Sequence, residues 1–201
     1  MARLSSEERR EAIVEAALAV ARRKGLATTT VRDVAAEMGT SSGLVHHYFD
    51  SMDEVLAAAF SRAARTGLEN VTASVGAAAD SRRALTAFLD DYATAENDWT
   101  FQLWLDAWSE ASRRPAVRDI SASLNVAWKD LLESIISRGV EEGVFACSNP
   151  EGTAWRLISL LDGLVLQVVA HRSTVDRTTL LRWAREAAEG ELGLQGGSLE
   201  G

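Results

Sequence analysis

The places where this chain could do chemistry are a histidine pair, a run of small hydroxyl residues, a set of tryptophans and one isolated carboxylate. His46 and His47 are adjacent, and neighbouring residues on a helix point about 100° apart. They make a poor chelating pair and better donors to phosphate oxygens or base edges. Gly39-Thr40-Ser41-Ser42-Gly43 has the G-x-S-x-G spacing of a serine nucleophile elbow, which needs a strand ahead of it. A helical pattern precedes it instead, and no acid at triad spacing or oxyanion motif accompanies it. Asp90-Asp91 and Glu141-Glu142 read as solvated helix faces rather than acid/base dyads. Cys147, the single cysteine, cannot close an internal disulfide, and no Cys/His cluster stands ready for zinc. No catalytic residue, metal or cofactor is expected, so the chain does not read as an enzyme. Asn70-Val71-Thr72 is a glycosylation sequon without a secretory context.

Six tryptophans are many for 201 residues: Trp99, Trp104, Trp108, Trp128, Trp155 and Trp183. Trp104 and Trp108, four apart, share a helix face. They suit either core packing or an aromatic-lined pocket, which favours cationic ligands. Asp106 and Glu110 lie on the opposite face from Trp104, so that helix alone makes no anionic cage. Asp162 interrupts an apolar helix and stacks with Trp155 and Ser159. A buried carboxylate needs a partner: a ligand cation, an arginine such as Arg156, or a second copy of the chain. Trp104, Trp108, Trp155 and Asp162 are therefore the candidate ligand residues.

Short helices must position the histidines and the hydroxyl run. Thr30 and Asp33 have capping-box spacing, and Val31, Val34, Ala35 and Met38 follow at helical intervals. Gly39 stops that helix. Thr40, Ser41 and Ser42 offer caps for the next, which carries Leu44, Val45, Tyr48 and Phe49 on one side. Helix, glycine turn and short polar-tipped helix make a helix-turn-helix, whose second helix places its N-terminal residues against base edges in the DNA major groove. Ser5 to Lys24 forms a bracing helix, with Ser5 and Glu8 at capping-box spacing, Gly25 at its end and Arg22-Arg23-Lys24 at the negative end of its dipole.

Charge adds little to this reading. The net charge is −8, whereas a nucleic-acid binder usually shows a basic patch. Residues 1–50 hold seven Lys/Arg and seven Asp/Glu, and all of the excess acid follows residue 50.

Gly25-Leu26, Thr30-Val31-Arg32-Asp33-Val34-Ala35, Met38-Gly39, Ser41, His47-Tyr48-Phe49 and Asp53-Glu54-Val55-Leu56 together resemble the DNA-binding domain of TetR-type transcriptional regulators, over roughly residues 6–66. His46 stands where that family usually has Tyr, and Met52 where it usually has Lys. The resemblance implies DNA contacts from Thr30, Arg32, Ser41, Ser42, Gly43, Leu44, His46, His47 and Tyr48. Arg32 and the histidines would meet phosphate, and Ser42, Gly43 and Leu44 the base edges. Farther on, Trp104, the stretch from Gly139 to Phe145 and Leu161-Asp162-Gly163-Leu164 are similar to the effector domain of BetI-like members.

The expected fold is all-α: a three-helix DNA-binding domain over 1–50, a linking helix 51–75, a ligand-binding and dimerisation domain over 51–190, and a glycine-rich, disordered tail over 191–201. Further helices are expected from Ser81, over Trp99 to Ser112, Val117 to Glu142, Pro150 to about Arg172 and Val175 to Gly190. The Pro150 helix is apolar nearly all round and needs partners on several sides. It is either a core helix or, as the resemblance implies, part of a four-helix dimer interface, with Leu157, Leu161, Leu164 and Val168 as candidates. The charged N-terminus lacks a signal-peptide core, and the apolar runs look too short to span a bilayer. A cytoplasmic location is expected. The resemblance implies a homodimeric repressor that binds a palindromic DNA operator and is released by a small-molecule inducer. The other reading, to which Met52 and the weak positive charge point, is a small-molecule binding or partner protein whose DNA-binding part has decayed.

Overall fold

The computed structural model describes residues 5–171 and 175–200. Among them are nine α-helices and one short 3-10 turn, with no strand. The helices are α1 (Ser6–Lys24), α2 (Val31–Glu37), α3 (Ser42–Tyr48), α4 (Met52–Gly76), α5 (Ser81–Ala93), α6 (Asp98–Glu110), α7 (Pro115–Glu141), α8 (Pro150–Val169) and α9 (Arg177–Glu191). α7 opens on Pro115, two residues before the expected Val117, at a position where a missing N–H costs nothing. Arg172, expected near the end of α8, lies outside the described residues.

Two compact units emerge, drawn differently from a division at residue 50. The first comprises 1–66 and 102–124, the second 67–101 and 125–201. α4, α6 and α7 thus contribute residues to both. In the first unit, Ile13, Ala17, Val34, Val45, Phe49, Val55 and Ala59 close a core beneath α1 to α4. In the second, Leu85, Phe88 and Leu89 of α5 meet Leu132, Ile135 and Ile136 of α7, Leu157, Ile158 and Leu161 of α8, and Ala184 and Ala188 of α9.

Three expectations are corrected here. Leu157 and Leu161 are 2% and 1% exposed within the single chain, so neither is free to meet a partner. The open side of α8 carries Leu160, at 39%, with Leu164 and Val168 half-buried. By length and composition α8, with 20 residues, could cross a membrane. Its apolar girth follows from packing against both α5 and α9. The tail is not disordered over 192–200: Leu192 and Leu199 are 0% and 1% exposed. Glu189, itself buried, explains this, because its carboxylate accepts from the backbone N–H of Gly197 at 3.0 Å and of Leu199 at 2.8 Å. A buried acid needs such donors, and among the described residues the returning tail provides them.

Leu199→Ala should therefore lower stability by about 2–4 kcal/mol, read as a fall in the urea midpoint. An unchanged midpoint would return the tail to the disordered class.

Candidate DNA-binding and effector sites

The helix-turn-helix is built by its caps. Thr30 accepts from Asp33 N–H, and Asp33 accepts from Thr30 N–H at 2.9 Å and from its hydroxyl at 2.6 Å. Lys24 adds an ion pair at 2.8 Å. The Lys24 and Thr30 contacts together hold the Asp33 carboxyl at about 2, below its ordinary 3.8. Gly39 takes φ +62°, the left-handed region that a side chain disfavours. Its N–H donates to Ala36 and that of Thr40 to Ala35, at 3.1 and 2.9 Å. The chain then re-enters a helix at Ser41, whose extended backbone caps α3 without a side-chain hydrogen bond.

α3 anchors itself by burying Val45, with Phe49 just beyond its end, at 1% and 2% exposure. The Arg10 guanidinium lies 3.9 Å over the Phe49 ring and donates to the Tyr48 carbonyl at 2.7 Å. This leaves Ser41, Gly43, His46 and His47 exposed, with Ser42, Leu44 and Tyr48 at the margin. His47 meets Tyr48 edge-on at 5.0 Å. Arg32 and Thr30 are exposed at the start of α2, although the Thr30 hydroxyl is engaged with Asp33. Neighbouring cations are partly neutralised, Lys24 by Asp33 and Arg23 by Glu37. All nine candidate DNA contacts thus lie on α2, α3 and their caps.

Residues that carry no signal in the sequence tie this motif to the rest of its unit. Asp106 of α6 accepts from Leu26 N–H at 2.7 Å. Leu26 is fully buried, and Gly25 turns into it at φ +86°, where an added Cβ would crowd the same carboxylate at 3.1 Å. Arg114 bonds Glu110 at 2.7 Å and pairs with Asp53 in the first turn of α4. Hydrogen bonds from Arg113 and Arg114 hold the Glu110 carboxyl below its usual range. Sequence spacing does not announce the pairings with Leu26 and Asp53, since the partners stand tens of residues apart.

The four candidate ligand residues fall in different units. Trp104 and Trp108 belong to the first. Trp104 is buried and packs edge-on against Phe60 at 4.8 Å, with Trp108 at 5.6 Å. Trp155 and Asp162 belong to the second. Lys129 lies 5.9 Å over the Trp155 ring and pairs with Asp130 and Glu133. Arg156 does not serve Asp162: it pairs with Glu191. The partner of Asp162 is Tyr92 of α5, whose hydroxyl donates to Oδ1 at 2.5 Å. Burial, opposed by that hydrogen bond, pushes the Asp162 carboxyl up to about 6. Burial and the charge of Asp162 push the Tyr92 phenol well above its ordinary range. Phe88 and Trp128 complete an aromatic group around Tyr92, at 5.9 and 5.6 Å from its ring. In the sequence, Tyr92 reads only as part of the apolar stripe of α5. Among the described residues no group of three His, Cys, Asp or Glu side chains could hold a metal.

Comparison with known proteins accounts for both regions. Residues 13–59 match the family model for bacterial regulatory proteins of the tetR family, and residues 77–193 that for the C-terminal part of BetI-type transcriptional repressors. The chain is 28% identical over 184 residues to the transcriptional regulator BetI of Paraburkholderia phymatum, covering 90% of this chain and 91% of that one. It is 25% identical over 177 residues to the nicotine-responsive transcriptional repressor HdnoR of Paenarthrobacter nicotinovorans, covering 85% and 89%. A solved structure from Saccharomonospora viridis, described as a transcriptional regulator in complex with choline, superposes with a TM-score of 0.81 at 26% identity, covering 92% of this chain and 98% of that one. The fold, the helix-turn-helix and these matches identify the chain as a member of the TetR family of ligand-responsive, DNA-binding transcriptional regulators, with an effector half of the BetI repressor type.

Proposed function

We propose that this protein is a homodimeric repressor that reads a palindromic operator through α3 and leaves it when a small cationic effector binds. The observation that carries the operator half is the exposed tip of α3. Ser41, Ser42, Gly43 and Leu44 are small enough to approach base edges, with Leu44 suited to a thymine methyl. Arg32, His46 and His47 flank them for phosphate, with Thr30 and Tyr48 beside. Dimerisation supplies the second recognition helix about 34–36 Å away, as a palindrome requires. The open face of α8 and α9, with Leu160 at 39% and Trp183 at 40% exposure, together with Leu164 and Val168, is the surface offered for it. This reading places the protein in the cytoplasm, with the DNA.

A cationic effector is supported by the Asp162 carboxylate among Phe88, Tyr92 and Trp128, since ammonium groups favour aromatic faces when desolvated. The choline complex of the Saccharomonospora viridis protein and the nicotine response of HdnoR support the same class. Trp155, Trp104 and Trp108 remain secondary candidates. Release then follows from linkage: the effector weakens operator binding by as much as it prefers the non-binding state.

Fluorescence anisotropy with DNA from directly upstream of the protein's own gene, at several salt concentrations and against scrambled DNA, tests the operator half. Tight and specific binding with a steep salt slope is expected, and binding no better than to scrambled DNA or to selected random sequences would sink it. Arg32→Ala should weaken binding to every sequence and reduce the log–log salt slope by about 0.9 for each phosphate no longer neutralised, and an unchanged slope would remove Arg32 from the phosphate-binding residues. Ser42→Ala should alter base preference at one position per half-site, seen by comparing selected-sequence profiles.

The carboxyl of Asp162 gives a stability test in the free protein. Its folded value, about 6, lies above the ordinary 3.8, so its stabilising contribution is complete below about 3.8 and lost as pH rises through about 6. Asp162→Asn stays neutral and keeps an oxygen for Tyr92. Its melting temperature should rise relative to wild type as pH goes from about 4 to about 7, and a constant difference would place Asp162 in water.

A further inference from the structure

The indole N–H of Trp128 is buried and has no hydrogen-bond partner, and Trp128 is the only tryptophan among the described residues with such an orphaned nitrogen. A buried donor without an acceptor is uncommon and costly. Packing alone does not call for it. The contacts of the ring are apolar: Phe88 at 6.0 Å and Tyr92 at 5.6 Å, both in T-shaped geometry, and Gly67, whose added Cβ would lie 3.8 Å from it. A phenylalanine would satisfy such neighbours without stranding a polar atom. The Trp128 ring is linked through Tyr92 to the Asp162 carboxylate. The Tyr92 ring touches Trp128 on one side, and its hydroxyl reaches Asp162 on the other. That hydrogen bond uses one carboxylate oxygen, Oδ1, and leaves Oδ2 for a second partner.

We infer that Trp128 is a specificity-determining residue of the effector site, and that its indole N–H donates to an oxygen acceptor carried by the effector alongside its cationic centre. The inference rests on the cationic-effector reading above and narrows it. The ligand class is a compact ammonium compound bearing a hydroxyl or carbonyl oxygen. The cation faces Asp162 and the rings, and the oxygen faces Trp128. A simple tetraalkylammonium satisfies the carboxylate and the rings but leaves the indole N–H stranded. A site built to donate to an oxygen discriminates against a ligand that lacks one, because its own buried donor then stays unpaired. The net value of a single neutral hydrogen bond sets the size of the preference at about fivefold to tenfold.

Isothermal titration calorimetry of the full chain with choline chloride and with tetramethylammonium chloride tests this, at a pH well above the titration of Asp162. For the wild type, choline should bind about fivefold to tenfold more tightly. Trp128→Phe keeps an aromatic ring and removes the donor. It should bind both cations with nearly the affinity that the wild type shows for tetramethylammonium. Equal affinities in the wild type, or a preference that survives Trp128→Phe, would overturn the inference while leaving a cationic effector standing. Failure of both cations to bind would overturn the cationic reading and this inference with it, and operator binding, measured separately, would be untouched. Should Trp128→Phe not fold, the indole N–H resonances of the wild type carry the same test. One of the six should move downfield with choline and not with tetramethylammonium, and a set that responds alike to both would overturn the inference.

Discussion

The hydrogen bond from Leu26 N–H to the Asp106 carboxylate is the constraint on which the working of the first unit depends. Gly25 ends α1 at φ +86°, and the next N–H leaves the hydrogen-bond ladder of that helix. That N–H is part of a fully buried residue, so it must find an acceptor within the protein. α6 supplies one from 80 residues away in sequence. The Arg114 link between Glu110 and Asp53 fixes the first turn of α4 in the same manner. The first unit is thus held by polar contacts with direction as well as by its apolar core of Ile13, Val34, Val45, Phe49 and Val55. Directional contacts break over a few tenths of an ångström, whereas apolar packing yields gradually. α4, α6 and α7 each continue into the second unit.

Electrostatics explains why so neutral a domain can still bind a polyanion. Residues 1–50 carry equal numbers of acidic and basic side chains, but they are not mixed at random. Asp33 and Glu37 are spent on Lys24 and Arg23, and Asp33 also closes the cap of α2. Arg32, His46 and His47 stay exposed on or beside the recognition helix, which itself carries no acid. What matters for phosphate is the local surface, because exposed charges farther off than about 10 Å are largely screened at moderate salt. A whole-domain charge count averages over that pattern and hides it.

The same distinction governs how much of the molecule was legible in its sequence. The local devices were plain: the Ser5–Glu8 and Thr30–Asp33 capping boxes, the glycine after α2 and the helical spacing of Val45 and Phe49 all appear as read. Each depends on residues within four or five positions. The pairings that define the candidate effector site were not legible, because they join distant segments. Asp162 could be seen to need a partner, but Tyr92, lying 70 residues away, was hidden in an ordinary apolar stripe. The tail misled for the converse reason. Its glycines suggest disorder, yet Gly193 and Gly197 adopt positive φ to bring the chain back over α9, and the reason for that return is the buried carboxylate of Glu189.

α8 shows how one physical property can carry several meanings. Its composition fits a membrane span, a core helix or a subunit interface equally well, since all three ask for apolar residues around the full girth. Burial separates them. Ala154, Leu157, Ile158, Leu161 and Val165 are committed to the chain's own core, which leaves a single stripe around Ser159, Leu160 and Gly163 open. The open side of α8 shows Leu160 among the small residues Ser159 and Gly163, with the exposed Arg156, paired with Glu191, one turn before it. Asp162 marks the limit of this logic. It stands on the same helix, next to that stripe, and its carboxyl turns inward to Tyr92. α8 thus carries an open stripe on one side and, turned inward, the carboxylate that the Tyr92 hydroxyl holds.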